Sequence, residues 1–183
     1  MLAHSHNSSR NEGSKRGFSL VELLIVVAII LLICAIAIPN LLHAKIAANQ
    51  AAAAANVRAI TSDALTYQST YQNGFPPSLA ALGGTGTGSC NAAALLDDTI
   101  AATPNQKSGY TFAYSGENGV LAVPGQGCGA PGYNGYFISA TPITESVTGD
   151  ASYCSYTPAS IYFDNSGTPA ADPNSCAALP PLQ

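Results

Sequence analysis

The sequence predicts an α+β fold: one long N-terminal α-helix, its first half apolar enough to cross a membrane, packed on a small antiparallel sheet of three to four strands. Three observations predict it. Leu23 to Ile38 contains no charged residue, the apolar residues after Pro39 recur at helical spacing, and strand-like segments appear only from Tyr110 onward.

The first element is the apolar run. Counted back to Phe18, it is interrupted only by Ser19 and Glu22, and at ~1.5 Å of rise per residue it spans about 31 Å, close to the hydrocarbon thickness of a bilayer. Pro39 is expected to kink the helix, not end it, because the pattern resumes at once. Leu42, Ile46, Ala53, Val57, Ile60, Ala64, Tyr67 and Tyr71 then form one face of an amphipathic helix. Asn73-Gly74 predicts its C-cap, and Pro76-Pro77 forbids continuation. A single helix from Phe18 to Gln72 follows, of which only the second half can bury against the rest of the chain. The alanines from Ala51 to Ala55 read first as high helix propensity and second as a small-residue contact face.

The stretch from Phe75 to Cys90 reads as a Gly-rich loop, and Ala92 to Ala101 as a short helix. Tyr110 to Ser115 is expected to be a strand, turning at Gly116-Glu117-Asn118-Gly119 into a partner at Val120 to Val123. Tyr136 to Ile143 and Ser160 to Asp164 complete the sheet, with Asn165-Ser166-Gly167 as the final turn. Tyr67 and Tyr71 lie on the helix face that meets these strands, so ordinary packing accounts for them without an electron-conducting role.

Composition excludes several functions. A formal net charge of −4 over 183 residues leaves no electrostatic footprint for nucleic acid. Outside His4 and His6 the one histidine is His43, beside the apolar run, so a nucleophile in the later domain lacks an imidazole base. There is no P-loop and no dinucleotide fingerprint. No enzyme and no cofactor are expected. Glu145 and Asp150 share a loop where calcium is conceivable, but the spacing is not that of an EF-hand, and solvated turn carboxylates are the plainer reading.

Glu22 is the anomaly. A charge inside a membrane helix costs roughly 2.5–3.5 kcal/mol and asks for a partner. The string Lys15-Arg16-Gly17-Phe18-Ser19-Leu20-Val21-Glu22 resembles the N-terminal signature of type IV pilins and of the pseudopilins of type II secretion. The likeness covers about the first sixty residues. It implies a leader, residues 1–17, recognised through Lys15 and Arg16, cut between Gly17 and Phe18 by a prepilin peptidase that also methylates the Phe18 amine. The Phe18 amine of one subunit would then pair with Glu22 of its neighbour in a growing homopolymer. The implied partners are an inner-membrane platform protein and an assembly ATPase, with the membrane as the site of the subunit before assembly. Residues 18–38 become the transmembrane and polymerisation helix, 39–73 its amphipathic second half, and 74–183 the exported pilin domain.

Orientation agrees, since the basic residues precede the apolar run and hold the N-terminus in the cytoplasm. The expected route is from bacterial inner membrane to periplasm and cell surface. After removal of the leader, three basic residues face nine acidic ones, a side-chain charge of −6 over 166 residues. A type IV pilus subunit is the first reading, a major pseudopilin the second, and a membrane-anchored periplasmic binding or sensor domain the third. An ordinary secretory signal cleaved after Ala35-Ile36-Ala37 competes with all three.

Cys34 sits in the apolar run and reads as a small hydrophobe. Cys90, Cys128, Cys154 and Cys176 lie on the exported side, where oxidation would pair them, and three pairings are open. The likeness to pilins, many of which close a C-terminal disulfide loop, implies Cys154 with Cys176 and hence Cys90 with Cys128.

Overall fold

The computed structural model describes residues 17–125 and 127–182, so Lys15 and Arg16 lie outside the described residues. The chain divides into two compact units, Met1–Asn40 and Leu41–Gln183, with the division one residue after Pro39. Helix α1, Leu20–Tyr71, is continuous through Pro39.

The end of α1 differs from the expected cap. Gln72, not Gly74, takes the first left-handed conformation, with φ 48°, and its N–H closes the last turn on the Gln68 carbonyl at 3.0 Å. Asn73 serves another purpose. Its buried side chain accepts from the Gly125 N–H at 2.7 Å and donates to the Ala130 carbonyl at 3.2 Å, tying the connection that carries these residues to the helix end.

Among the described residues the second unit holds a five-stranded antiparallel meander in the order β1-β2-β3-β4-β5, one strand more than the upper expectation. Its strands are β1 (Gln106–Lys107), β2 (Tyr110–Val120), β3 (Tyr133–Pro142), β4 (Ser152–Tyr156) and β5 (Ser160–Asp164). The predicted hairpin at Gly116–Gly119 does not form. Pairing with β3 continues through Glu117↔Gly135, slips, and resumes at Val120↔Tyr133, with Asn118 at φ 60° and Gly119 at φ 76°. The Asn-Gly pair therefore makes a β-bulge inside one long strand. Strand β4 escapes the sequence reading because Ser-Tyr-Cys-Ser-Tyr has no β-branched residue and is buried on both faces, so neither composition nor alternation marks it.

Among the described residues the unit also holds three short helices: α2 (Leu79–Leu82), α3 (Asp98–Ala101) and α4 (Pro173–Ala177). Helix α2 falls where a loop was expected. Helix α3 is only the last turn of the predicted 92–101 helix, since Ser89 and Ala92 pair across a tight turn and Ala94 sits at φ 55°.

The core forms where the α1 face carrying Ala53, Val57, Ile60, Ala64 and Tyr67 meets Tyr110, Phe112, Tyr136, Ile138 and Ala140 of the sheet. The helical period anticipates this face, except that Leu42 is exposed. Residues of opposite parity on β3 and β4, Phe137 and Cys154, form a second cluster with Cys176 and Leu179 on the other side of the sheet. The tail also covers the outer edge of β5, with Phe163 N–H on the Pro180 carbonyl at 3.1 Å and Leu182 N–H on the Ile161 carbonyl at 2.8 Å.

Asp97 joins α3 to β1. Its carboxylate accepts from Lys107 Nζ at 2.8 Å and from the backbone N–H and hydroxyl of Thr99 at 2.8 and 2.7 Å. The Lys107 hydrogen bond foremost, then the Thr99 bonds, hold its carboxyl well below the ordinary 3.8. A carboxyl depressed in the fold contributes stability that is present above the unfolded value and is lost as pH falls toward the folded one. The melting temperature is accordingly expected to drop as pH falls through 4 and below, and to drop less steeply in Asp97→Asn; identical slopes in the two proteins would contradict this.

Candidate assembly site

The residues expected to act in assembly, Phe18 and Glu22, lie at the start of α1 in the N-terminal unit. Ser19 is the N-cap: its carbonyl accepts the Leu23 N–H at 3.2 Å and its hydroxyl accepts the Val21 N–H at 3.3 Å. Glu22, three residues on, reaches back so that Oε2 accepts the Ser19 backbone N–H at 2.9 Å. That is the reciprocal arm of a capping box. By charge alone, Glu22 is a carboxylate in need of a cation. The missed signal was the S-x-x-E spacing of Ser19-Leu20-Val21-Glu22.

The arrangement satisfies orphan donors of the first turn and sets a negative charge at the positive end of the helix dipole. It leaves Oε1 without a hydrogen bond among the described residues and therefore able to take a second donor. Phe18 stands beside it, 83% exposed. A Cβ at Gly17 would meet nothing within 4 Å, so nothing in the described chain demands glycine there.

From Leu23 to Ile38 the helix carries no charged residue on any side, and every side chain there is exposed except the half-buried Cys34. Leu20, Leu23, Leu24, Val27, Ala28 and Leu31 stand at the i, i+3, i+4 spacing of one helix face and form a continuous exposed apolar stripe. Cys34 lies farther along, half-buried and with a free thiol.

The other four cysteines lie in the second unit, Leu41–Gln183. Cys90 is bonded to Cys128 and Cys154 to Cys176, with Cα separations of 5.4 and 6.1 Å. Among the described residues no group of three or more His, Cys, Asp or Glu side chains is placed to hold a metal ion, and Glu145 and Asp150 form no such group.

Comparison with known proteins bears on the same segment. Residues 13–38 match the prokaryotic N-terminal methylation motif. Over 70 residues, 37% of this chain, the sequence is 44% identical to a type IV wide pilus major component, PilA4, of Thermus thermophilus. The aligned stretch spans half of that relative's length. No solved structure matches the chain.

Proposed function

We propose, from a chain whose N-terminal segment is that of the type IV pilin family, that the protein is a structural filament subunit made as a membrane-anchored precursor. The observation that carries this is the wholly unburied apolar first half of α1. Lipid covers that surface before assembly, and in an aqueous filament only copies of the same helix can do so.

The junction chemistry follows from the residues. Leader removal between Gly17 and Phe18 creates an amine beside Glu22, and methylation of a primary amine leaves it able to carry its positive charge. Glu22, already fixed by the Ser19 amide, offers Oε1 to the Phe18 ammonium of a neighbouring subunit. In a low-dielectric helix bundle such a pair sets register more than it adds stability, because desolvation offsets much of the attraction. Glycine at 17 answers to the peptidase and not to the fold, and Lys15 and Arg16 are the basic part of the recognition signal. The peptidase, platform protein and ATPase belong to the same proposal, as does passage from inner membrane to cell surface.

The test is polymerisation: the processed chain, diluted out of detergent, is expected to form filaments visible by electron microscopy, and a stable monodisperse particle would contradict it. A type II secretion pseudopilin is the second reading, because Phe163-Asp164-Asn165-Ser166-Gly167-Thr168 at the end of β5 resembles the final strand-turn of the pseudopilin-like group; there Asp164 accepts from the Ser166 N–H at 2.9 Å. The two disulfides fit an oxidising compartment, which the periplasm and the cell surface both provide.

A further inference from the structure

Asparagine precedes glycine at three places in the chain, Asn73-Gly74, Asn118-Gly119 and Asn134-Gly135. An asparagine so placed is prone to lose its side-chain amide, because the glycine nitrogen has no neighbouring Cβ to keep it from the asparagine Cγ. The fold treats the three differently. Asn73 is 2% exposed and held at both ends of its amide, Oδ1 accepting from the Gly125 N–H and Nδ2 donating to the Ala130 carbonyl. Gly74 is crowded as well, since a Cβ there would meet the Tyr133 carbonyl. Asn134 is exposed, but its Nδ2 donates to the carbonyls of Asn118, Gly119 and Val120 at 3.1, 3.2 and 3.5 Å, and Gly135 is buried in the ladder opposite Glu117.

At the bulge in β2 these restraints are missing. Asn118 and Gly119 are both exposed, and the Asn118 side chain makes no hydrogen bond among the described residues. Neither residue has a partner on β3, the register passing from Glu117↔Gly135 to Val120↔Tyr133. Gly119 sits at φ 76°, and a Cβ there would meet nothing within 4 Å. Loss of the amide requires the backbone to turn until the Gly119 nitrogen faces Cγ, and unpaired bulge residues turn without breaking a ladder pair. What opposes the turn is Asn134, a single nitrogen whose two hydrogens are shared among three carbonyls.

We propose that Asn118 is a site of spontaneous deamidation in the folded protein. Hydroxide takes the Gly119 amide proton, the nitrogen attacks Cγ of Asn118, and the Cγ–Nδ2 bond breaks with ammonia as the leaving group, which closes a cyclic imide. Water then opens the ring. Cleavage between Cγ and the Gly119 nitrogen gives aspartate; cleavage between the Asn118 backbone carbonyl carbon and that nitrogen gives isoaspartate, with the chain rerouted through Cγ. The balance is water consumed and ammonia released. Either product adds a carboxylate to a chain whose formal net charge is already −4. Isoaspartate also lengthens the backbone just before Leu121, whose N–H is bonded to the Gly132 carbonyl at 2.8 Å.

The test is to incubate the full folded chain in detergent at mildly alkaline pH and to follow the three sites by mass spectrometry. Digestion after tyrosine and phenylalanine puts the three asparagines in different peptides. Asn118 is expected to convert, with Asn73 and Asn134 slower by roughly tenfold or more because each must first open locally. In urea with the disulfides reduced, where the fold no longer discriminates, the three should convert at comparable rates. Asn73 or Asn134 converting as fast as Asn118 in the folded chain overturns the proposal. So does an Asn118 that the fold slows, relative to urea, as much as it slows the other two.

Discussion

Glu22→Ala is expected to leave membrane insertion and leader removal intact and to stop filament growth. Removing one partner of a buried ion pair costs roughly 3–5 kcal/mol, which is a factor of at least about a hundred in the equilibrium for each added subunit. Glu22→Gln separates the two roles of the carboxylate. Glutamine serves at the same position of a capping box, so it preserves the bond to the Ser19 amide while removing the charge. The Gln variant should therefore keep first-turn amide protection in detergent yet fail to polymerise, and the Ala variant should lose both. Normal filaments from Glu22→Gln would show that charge pairing is not the joint.

The second large effect concerns the tail. Replacing Cys154 and Cys176 together by alanine opens a loop with a sequence separation of 22, and loop-closure entropy sets the loss at about 3 kcal/mol. Both sulfurs are buried, in a cluster with Phe137 and Leu179, so packing is lost as well. Urea unfolding of the full chain should show a lowered midpoint. An unchanged midpoint would mean that the tail holds β5 through backbone pairing alone.

Where the sequence was legible, one simple period governed the outcome. The buried face of α1 from Ile46 to Tyr67 follows from helical spacing, and strand β5 falls at the expected Ser160–Asp164. Where it was not, a local signal had two structural solutions. Asn118-Gly119 satisfies a hairpin or a bulge equally well, and only the length of β3 beside it chooses the bulge. Strand β4 is invisible for want of alternation, being covered by α1 on one face and the tail cluster on the other. Within the candidate site, Gly17, Phe18 and Glu22 stood out by charge and position. The Ser19 cap did not, because its serine looked like a mere interruption of an apolar run.

The most direct measurement is the mass of the N-terminal peptide of the protein purified from cells. Cleavage after Gly17 with modification of the new amine predicts a first residue of Phe18 bearing one added methyl group. A chain beginning at Ile38, or one still carrying residues 1–17, would contradict it, because neither presents an ammonium group at Phe18 for Glu22 to bind.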